Sequence, residues 1–164
     1  VNAEAKDGFQ VAKQLAKVAQ EGSYDLIIAG RESIDYNGGM VPGMLAGLLK
    51  ANFINNCISL EVDGDTAKAV REIDGGKESL SAKLPLVIGG QKGLVEESDL
   101  KIPNMRGIMQ ARKKPLNVVE PDGSEALTQA VKFEKPAPKG DVKLVDAENL
   151  DELIDLLHNE AKVI

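Results

Sequence analysis

This sequence predicts an α/β domain, on the strength of three stretches. Residues Gly8 to Glu21 place Val11, Leu15 and Val18 at i, i+4 and i+7, with Lys13, Gln14, Lys17 and Gln20 on the other face, which is the pattern of an amphipathic helix. Gly22-Ser23 ends that helix, and Tyr24 to Ala29 follows at once as an apolar run of strand length. The run is cut by Gly30, passes through a polar loop and re-emerges as a helical pattern from about Pro42 to Lys50, carrying Met44, Leu45, Leu48 and Leu49. Helix, strand, loop and helix with short connections are the parts of a right-handed parallel βαβ sheet. Such units open with a strand, so a first strand upstream of Val1 is expected.

The texture then changes. Ile58, Leu60 and Val62 alternate with polar residues, Asp63-Gly64-Asp65 makes a turn, and Ala67 to Ile73 starts a second strand. Asp74-Gly75-Gly76 turns the chain again and Glu78 to Leu84 alternates, so short antiparallel strands are added to the parallel ones. Leu86-Val87-Ile88 is a buried strand closed by Gly89-Gly90. Glu96 to Ile102 reads as an exposed loop carrying two apolar residues. Pro103 suits the first position of a helix with Met105, Ile108 and Met109, which ends in Arg112-Lys113-Lys114 at the negative end of its dipole. Leu116 to Val119 is expected to be a further short strand. Phe133 to Gly140, with Pro136 and Pro138, is an extended linker. Asn149 with Glu152 can cap a last helix whose stripe is Leu150, Leu153, Ile154 and Leu157. That helix docks either on its own domain or on another chain. The division expected is residues 1–134, a nucleotide-binding α/β domain incomplete at its N-terminus, and residues 135–164, an arm with its helix.

Bulk properties narrow the function. The chain of 164 residues has a net charge of -6, which argues against a nucleic-acid binder, because that affinity needs a positive field. No apolar run approaches the roughly 20 residues that span a bilayer. One cysteine, Cys57, excludes an internal disulfide framework, and one histidine, His158, leaves metal ligation without a cluster. Cys57 reads as a small buried apolar residue, and His158 as a cation suited to a helix end. His158 is also far in sequence from every attractive serine, so no nucleophile-base pair stands out. Neither a G-x-x-x-x-G-K-[ST] nor a G-x-G-x-x-G loop is present.

The loop from Gly30 to Val41 is the candidate site. In an open α/β sheet the carboxyl end of a strand leading into a helix is where ligands bind, and the free N–H groups and dipole there favour an anion. Gly30, Gly38 and Gly39 allow close backbone approach, and the N–H groups of Gly39, Met40 and Val41 can face a phosphate. The plain alternative is a glycine-bearing loop with no ligand.

The run Ala69-Val70-Arg71-Glu72-Ile73-Asp74-Gly75-Gly76-Lys77-Glu78-Ser79-Leu80-Ser81-Ala82-Lys83-Leu84-Pro85-Leu86-Val87-Ile88 closely resembles the signature of the electron transfer flavoprotein beta-subunit family. Its core is a basic residue, two residues, Asp-Gly-Gly, then Glu, Leu and a Leu-Pro pair before an apolar strand. The family usually has Thr, Ala, Ser or Cys after that strand, where this chain has Gly89. Gly30-Arg31-Glu32-Ser33-Ile34-Asp35 resembles the family's Gly-Lys-Gln-Ala-Ile-Asp loop. Ile102-Pro103-Asn104 with Arg112-Lys113-Lys114 resembles its Leu-Pro-Asn segment and Lys-rich run.

The resemblance implies a Rossmann-like, three-layer α/β/α fold with a mostly parallel sheet, added antiparallel strands, and a C-terminal arm and helix. It implies an electron carrier without catalytic residues of its own, cytoplasmic in a bacterium and in the mitochondrial matrix of a eukaryote. In such a carrier the beta subunit pairs with an alpha subunit, FAD is shared with alpha, and AMP, or a second FAD in its place, sits in beta. Electrons come from acyl-CoA dehydrogenase-type flavoenzymes. By position, Gly30, Arg31, Glu32, Ser33, Ile34, Asp35, Tyr36, Asn37, Gly38, Gly39, Met40 and Val41 form the adenine nucleotide loop. The family's side-chain donors before the helix are replaced by Gly39, Met40 and Val41, leaving the phosphate to backbone N–H groups. Leu100, Ile102 and Pro103 stand in the partner-docking loop, with Ile102 as its apolar anchor; the alternative is that Leu100 and Ile102 pack on their own domain. Glu72 faces the mobile flavin domain of alpha, or is simply a solvated residue at a strand end. Without the N-terminal strands, the chain alone is expected to hold no FAD and to form no normal heterodimer. The competing reading is a free-standing adenine-nucleotide-binding regulatory domain, recognised as a homodimer that binds ATP; a hydrolase using the same loop would instead turn ATP over.

Overall fold

The computed structural model describes residues 7–35 and 37–164. The chain divides into two units, Val1–Gln129 and Ala130–Ile164. In the first, the elements run α1 (Gly8–Gly22), β1 (Leu26–Gly30), α2 (Val41–Leu49), β2 (Asn52–Asp63), β3 (Thr66–Ile73), β4 (Gly76–Lys83), β5 (Leu86–Gly90) and α3 (Met105–Ala111). The strands form one mixed sheet in the order β1-β5-β2-β3-β4. β5 is parallel to both β1 and β2, while β2, β3 and β4 are antiparallel. This is the α/β class that the periodicities predict.

β2 begins earlier than its sequence pattern suggests, at Asn52 rather than near Ile58. Its first half pairs with β5 through Asn52, Phe53 and Ile54, and its second half pairs with β3. Between them the register shifts, and Asn56 takes the left-handed conformation at φ 53°. Asn55 and Asn56 break the alternation that would otherwise mark a strand, because an irregularity of this kind re-aims side chains. β2 therefore serves both halves of the sheet.

Alternate residues of the central strands point to opposite faces. Ile54, Leu86 and Ile88 join Cys57, Ala67 and Ala69 in the buried core, with Leu26, Leu80 and Leu94 packed around them. On the other face, α2 crosses β5 and β2, and Gly43 brings its backbone so close to the Phe53 ring that a Cβ would stand 3.3 Å from it. α1 packs against α2. Burial raises the pKa of the Cys57 thiol, as the sequence reading of Cys57 as a core residue requires.

Gln14 departs from expectation. Its place on the polar side of α1 predicts exposure, yet it is only 6% exposed. The reason is the segment at 122–128, which lies along the helix positions 7, 10 and 14. Gln14 Nε2 donates to Asp122 Oδ1 at 2.5 Å, and Gln14 Oε1 accepts from the Asp122 N–H at 3.0 Å. Gln10 Nε2 donates to the Ser124 carbonyl at 2.9 Å. Asp7 caps α1 by accepting from Gln10 N–H, and its second oxygen accepts from the N–H groups of Leu127 and Thr128 at 2.6 and 2.8 Å.

Both carboxylates are held below the ordinary aspartate value. For Asp7 the Gln10 N–H is the largest cause, followed among the lowering contacts by Thr128 and Leu127; for Asp122 it is the Ser124 hydroxyl, then the Ser124 N–H. A folded-state pKa below the unfolded one means that these contacts hold fully above the ordinary carboxylate range and weaken as pH falls through the lowered values. The amide resonances of Ser124, Leu127 and Thr128 are therefore expected to stay fixed from pH 7 to about 5 and to shift together only below about 4. Shifts that begin near pH 6 would contradict the assignment.

Two further elements differ from their expected form. Asn104, not Pro103, begins the helix after the exposed loop: it caps α3 by accepting from Gly107 N–H at 2.8 Å, so the proline stands before the cap. Leu116 to Val119 is irregular, since no strand among the described residues pairs with it.

In the second unit the chain is irregular up to Asn149. Asn149 then caps α4 (Leu150–Asp155), accepting from Glu152 N–H while its own Nδ2 donates to Glu152 Oε2 at 2.8 Å. This is a side-chain form of the expected capping pair. A π-helical turn, Leu156–Glu160, continues it, and the His158 ring nitrogen Nδ1 bonds the Ile164 carbonyl at 3.0 Å. Leu150, Leu153 and Ile154 are exposed.

Candidate functional site

The parallel strands β1 and β5 end side by side, Gly30 opposite Gly90, and Arg31 N–H extends the ladder by donating to the Gly90 carbonyl at 3.2 Å. From this end the loop 31–40 leaves the sheet. It folds on itself where Ser33 N–H donates to the Gly38 carbonyl at 2.9 Å, and Asn37 takes a left-handed turn at φ 50°. The Arg31 and Glu32 side chains pair at 2.6 Å on the surface. Ile34 is 94% exposed and Asp35 is exposed; Tyr36 lies outside the described residues.

The loop then delivers Gly39, Met40 and Val41 to the start of α2. A Cβ on Gly39 would stand 3.4 Å from the Arg31 carbonyl, so the returning side of the loop lies beside its outgoing one. Met40 is the N-cap, and no side chain caps this helix. Met40 O receives the first helical bond, from Met44 N–H at 3.0 Å. Pro42 in the first turn has no N–H. The donors available at this end are therefore those of the loop and of Val41 and Gly43. They sit at the positive end of the helix dipole, at the carboxyl edge of the parallel strands. No side chain caps this turn, so its backbone N–H groups face no competing carboxylate there.

The other residues singled out in the sequence lie elsewhere. Glu72, near the end of β3, is exposed, and its Oε2 accepts from Gln91 Nε2 at 2.8 Å. Gln91 is fixed in turn by its N–H to the Cys57 carbonyl at 2.9 Å. Sequence reasoning missed Gln91, because only the fold brings the end of β5 beside the irregularity in β2. Leu100, Ile102 and Pro103 are all exposed, Ile102 at 83%. They follow a single 3-10 turn, Glu97–Asp99, and precede α3, whose Met105 and Met109 are exposed as well. In sequence, Glu96, Glu97 and Asp99 precede this apolar stretch, and Lys101, Arg106, Arg112, Lys113 and Lys114 lie within and after it. The structure thus presents an exposed apolar loop and helix, Leu100 to Met109, in the segment that follows β5.

Two absences hold among the described residues. There is no group of three or more His, Cys, Asp and Glu side chains that could hold a metal ion, and no helix is long and apolar enough to cross a membrane. An apolar cleft lined by Ala19, Tyr24, Ile27, Leu49 and Val87 lies toward the far end of α1 and α2, away from the loop at 31–40.

Comparison with known proteins places this architecture. Residues 2–124 match the family model described as the electron transfer flavoprotein domain. The chain is 34% identical over 168 residues to electron transfer flavoprotein subunit beta of Bacillus subtilis, covering 96% of this chain and 64% of that protein. It is 34% identical over 156 residues to the subunit of the same name from Bradyrhizobium diazoefficiens, covering 94% of this chain and 61% of that one. Against the human subunit beta it is 37% identical over 119 residues, or 73% of this chain and 46% of the human one. The chain therefore spans less than two thirds of the length of these relatives. With a matched domain that runs from the first helix through the sheet, and relatives that share a single name, the chain belongs to the electron transfer flavoprotein family, and the relatives it matches are beta subunits.

Proposed function

We propose that this chain is the nucleotide-holding and partner-docking part of an electron-carrying flavoprotein. It holds AMP at the loop of residues 30–41, and FAD is shared with an alpha subunit by the longer protein of which this chain is a part. The observation that carries the reading is the uncapped first turn of α2, whose N–H groups stand at the carboxyl edge of the parallel strands. The phosphate of AMP rests on the amides of Gly39, Met40, Val41 and Gly43, while Gly30 and Arg31 keep the loop on the sheet. A second FAD in the same place would use the same amides. FAD, when bound, supplies the electron chemistry; the chain's own residues bind, orient and dock.

Docking uses the exposed segment Leu100, Ile102 and Pro103, with α3 beside it. An exposed apolar side chain can enter an apolar pocket of a partner, and one such anchor dominates a small transient interface. Dehydrogenases of the acyl-CoA type are the electron donors in this proposal. Glu72, held by Gln91, presents its carboxylate to a cation of the alpha subunit.

Calorimetric titration of the chain with AMP and with adenosine tests the nucleotide part. AMP is expected to bind at least about tenfold more tightly, since a phosphate on several backbone N–H groups contributes charge-assisted hydrogen bonds of about 1.5–3 kcal/mol each. Equal affinity for the two, or no binding of either, would overturn the phosphate assignment.

A further inference from the structure

The segment at 122–128 and the candidate phosphate turn meet at one place, the first turn of α1. Asp7 caps that turn and at the same time holds the Leu127 and Thr128 N–H groups. The next residue, Gly8, faces the Met40 side chain so closely that a Cβ there would lie 2.8 Å from Met40 Cγ and 2.9 Å from Sδ. Met40 is the N-cap of α2 and supplies the carbonyl for the first bond of that helix. Gln10, in that turn, and Gln14, one turn further along α1, carry the other hydrogen bonds of the segment, and Gln14 is buried beneath it.

We propose that residues 122–128 are a latch on α1. By fixing the first turn of that helix they seat Met40 against Gly8, and so position the amide groups at the start of α2. Gln14 and Asp122 are then positioning residues for a site that neither of them touches. The physical reason is fraying: a helix terminus opens locally at little cost unless tied down, and the latch ties it by side-chain contacts to residues more than a hundred positions away. A mobile first turn would leave Met40 without its seat, and the start of α2 would be free to shift. The effect on ligand affinity rests on the phosphate reading given above; the mechanical coupling between the two helices does not.

Two variants of the full chain test it. Asp122→Ala removes an exposed acceptor and leaves the core untouched; Gln14→Leu removes both ends of the buried carboxamide at similar volume. Amide exchange followed by NMR, without ligand, is expected to speed up at least tenfold at Leu127 and Thr128 and also at Met44, whose N–H bonds Met40 O. AMP affinity is expected to fall about tenfold, with adenosine affinity unchanged. Unchanged exchange at Leu127 and Thr128 in both variants would overturn the latch. Faster exchange there with Met44 unaffected would overturn the coupling. If the exchange pattern appears as expected but the unaltered chain binds no AMP, the latch stands and the phosphate reading falls.

Discussion

Ile88→Ala is expected to lower the unfolding free energy by about 2–5 kcal/mol, read as a shift of the urea midpoint by circular dichroism. Ile88 is 0% exposed and lies in the middle of β5, the strand that joins the β1 side of the sheet to β2. Its neighbours in the core include Ile54, Cys57, Ala67 and Ala69. The alanines are already the smallest side chains that could fill their places, so they cannot grow into the cavity, and β5 is hydrogen-bonded on both edges and cannot shift to close it. A domain of this size has a total stability of about 5–15 kcal/mol, so the loss takes a large share of the whole. Ile102→Ala is the matched control, with the same side chain removed from an exposed position. It is expected to move the midpoint by less than about 0.5 kcal/mol. Similar shifts for the two variants would mean that the core is not centred on β5.

What the sequence makes legible here is what local periodicity controls. α1, β1 with α2, and β5 each announce themselves as elements within a few residues, because a helical period or a short apolar run bounded by glycine needs no distant partner to be recognised. Yet α1 buries Ala12 and Ala16 and leaves Leu15 of the expected stripe 43% exposed. The first half of β2 is illegible for the opposite reason. Asn52, Asn55 and Asn56 carry no strand pattern, and the segment is a strand because β5 lies beside it. Gln14 shows the same limit for burial, since its cover is a residue 108 positions away. The turn between the end of β1 and the start of α2 is legible as a place, because any sequence that makes such a turn leaves backbone N–H groups at the helix start. The support of that site is not legible. Nothing near Met40 in sequence points to Gly8, and nothing near Glu72 points to Gln91.

Gly89 is where a departure from the family pattern acquires a physical cause, and it yields the second large effect. The family resemblance leads one to expect a small side chain at this position; here a Cβ at residue 89 would collide with the Asn55 Oδ1. That oxygen is buried, has no hydrogen-bond partner, and lies where β2 departs from regular pairing with β5. Gly89→Ala must therefore displace a packed carboxamide next to the Arg31 backbone, 3.6 Å from the new Cβ, and overpacking of this kind costs about 1–3 kcal/mol. Asn55→Ala removes the obstacle and, with it, an unsatisfied buried acceptor. In that background the same Gly89→Ala change is expected to cost less than about 0.5 kcal/mol, so a double-mutant cycle should return a coupling energy of about 1 kcal/mol or more. Additive single and double variants would show that residues 55 and 89 do not compete for the same space. The glycine would then answer to the backbone of the strand end and not to its neighbour.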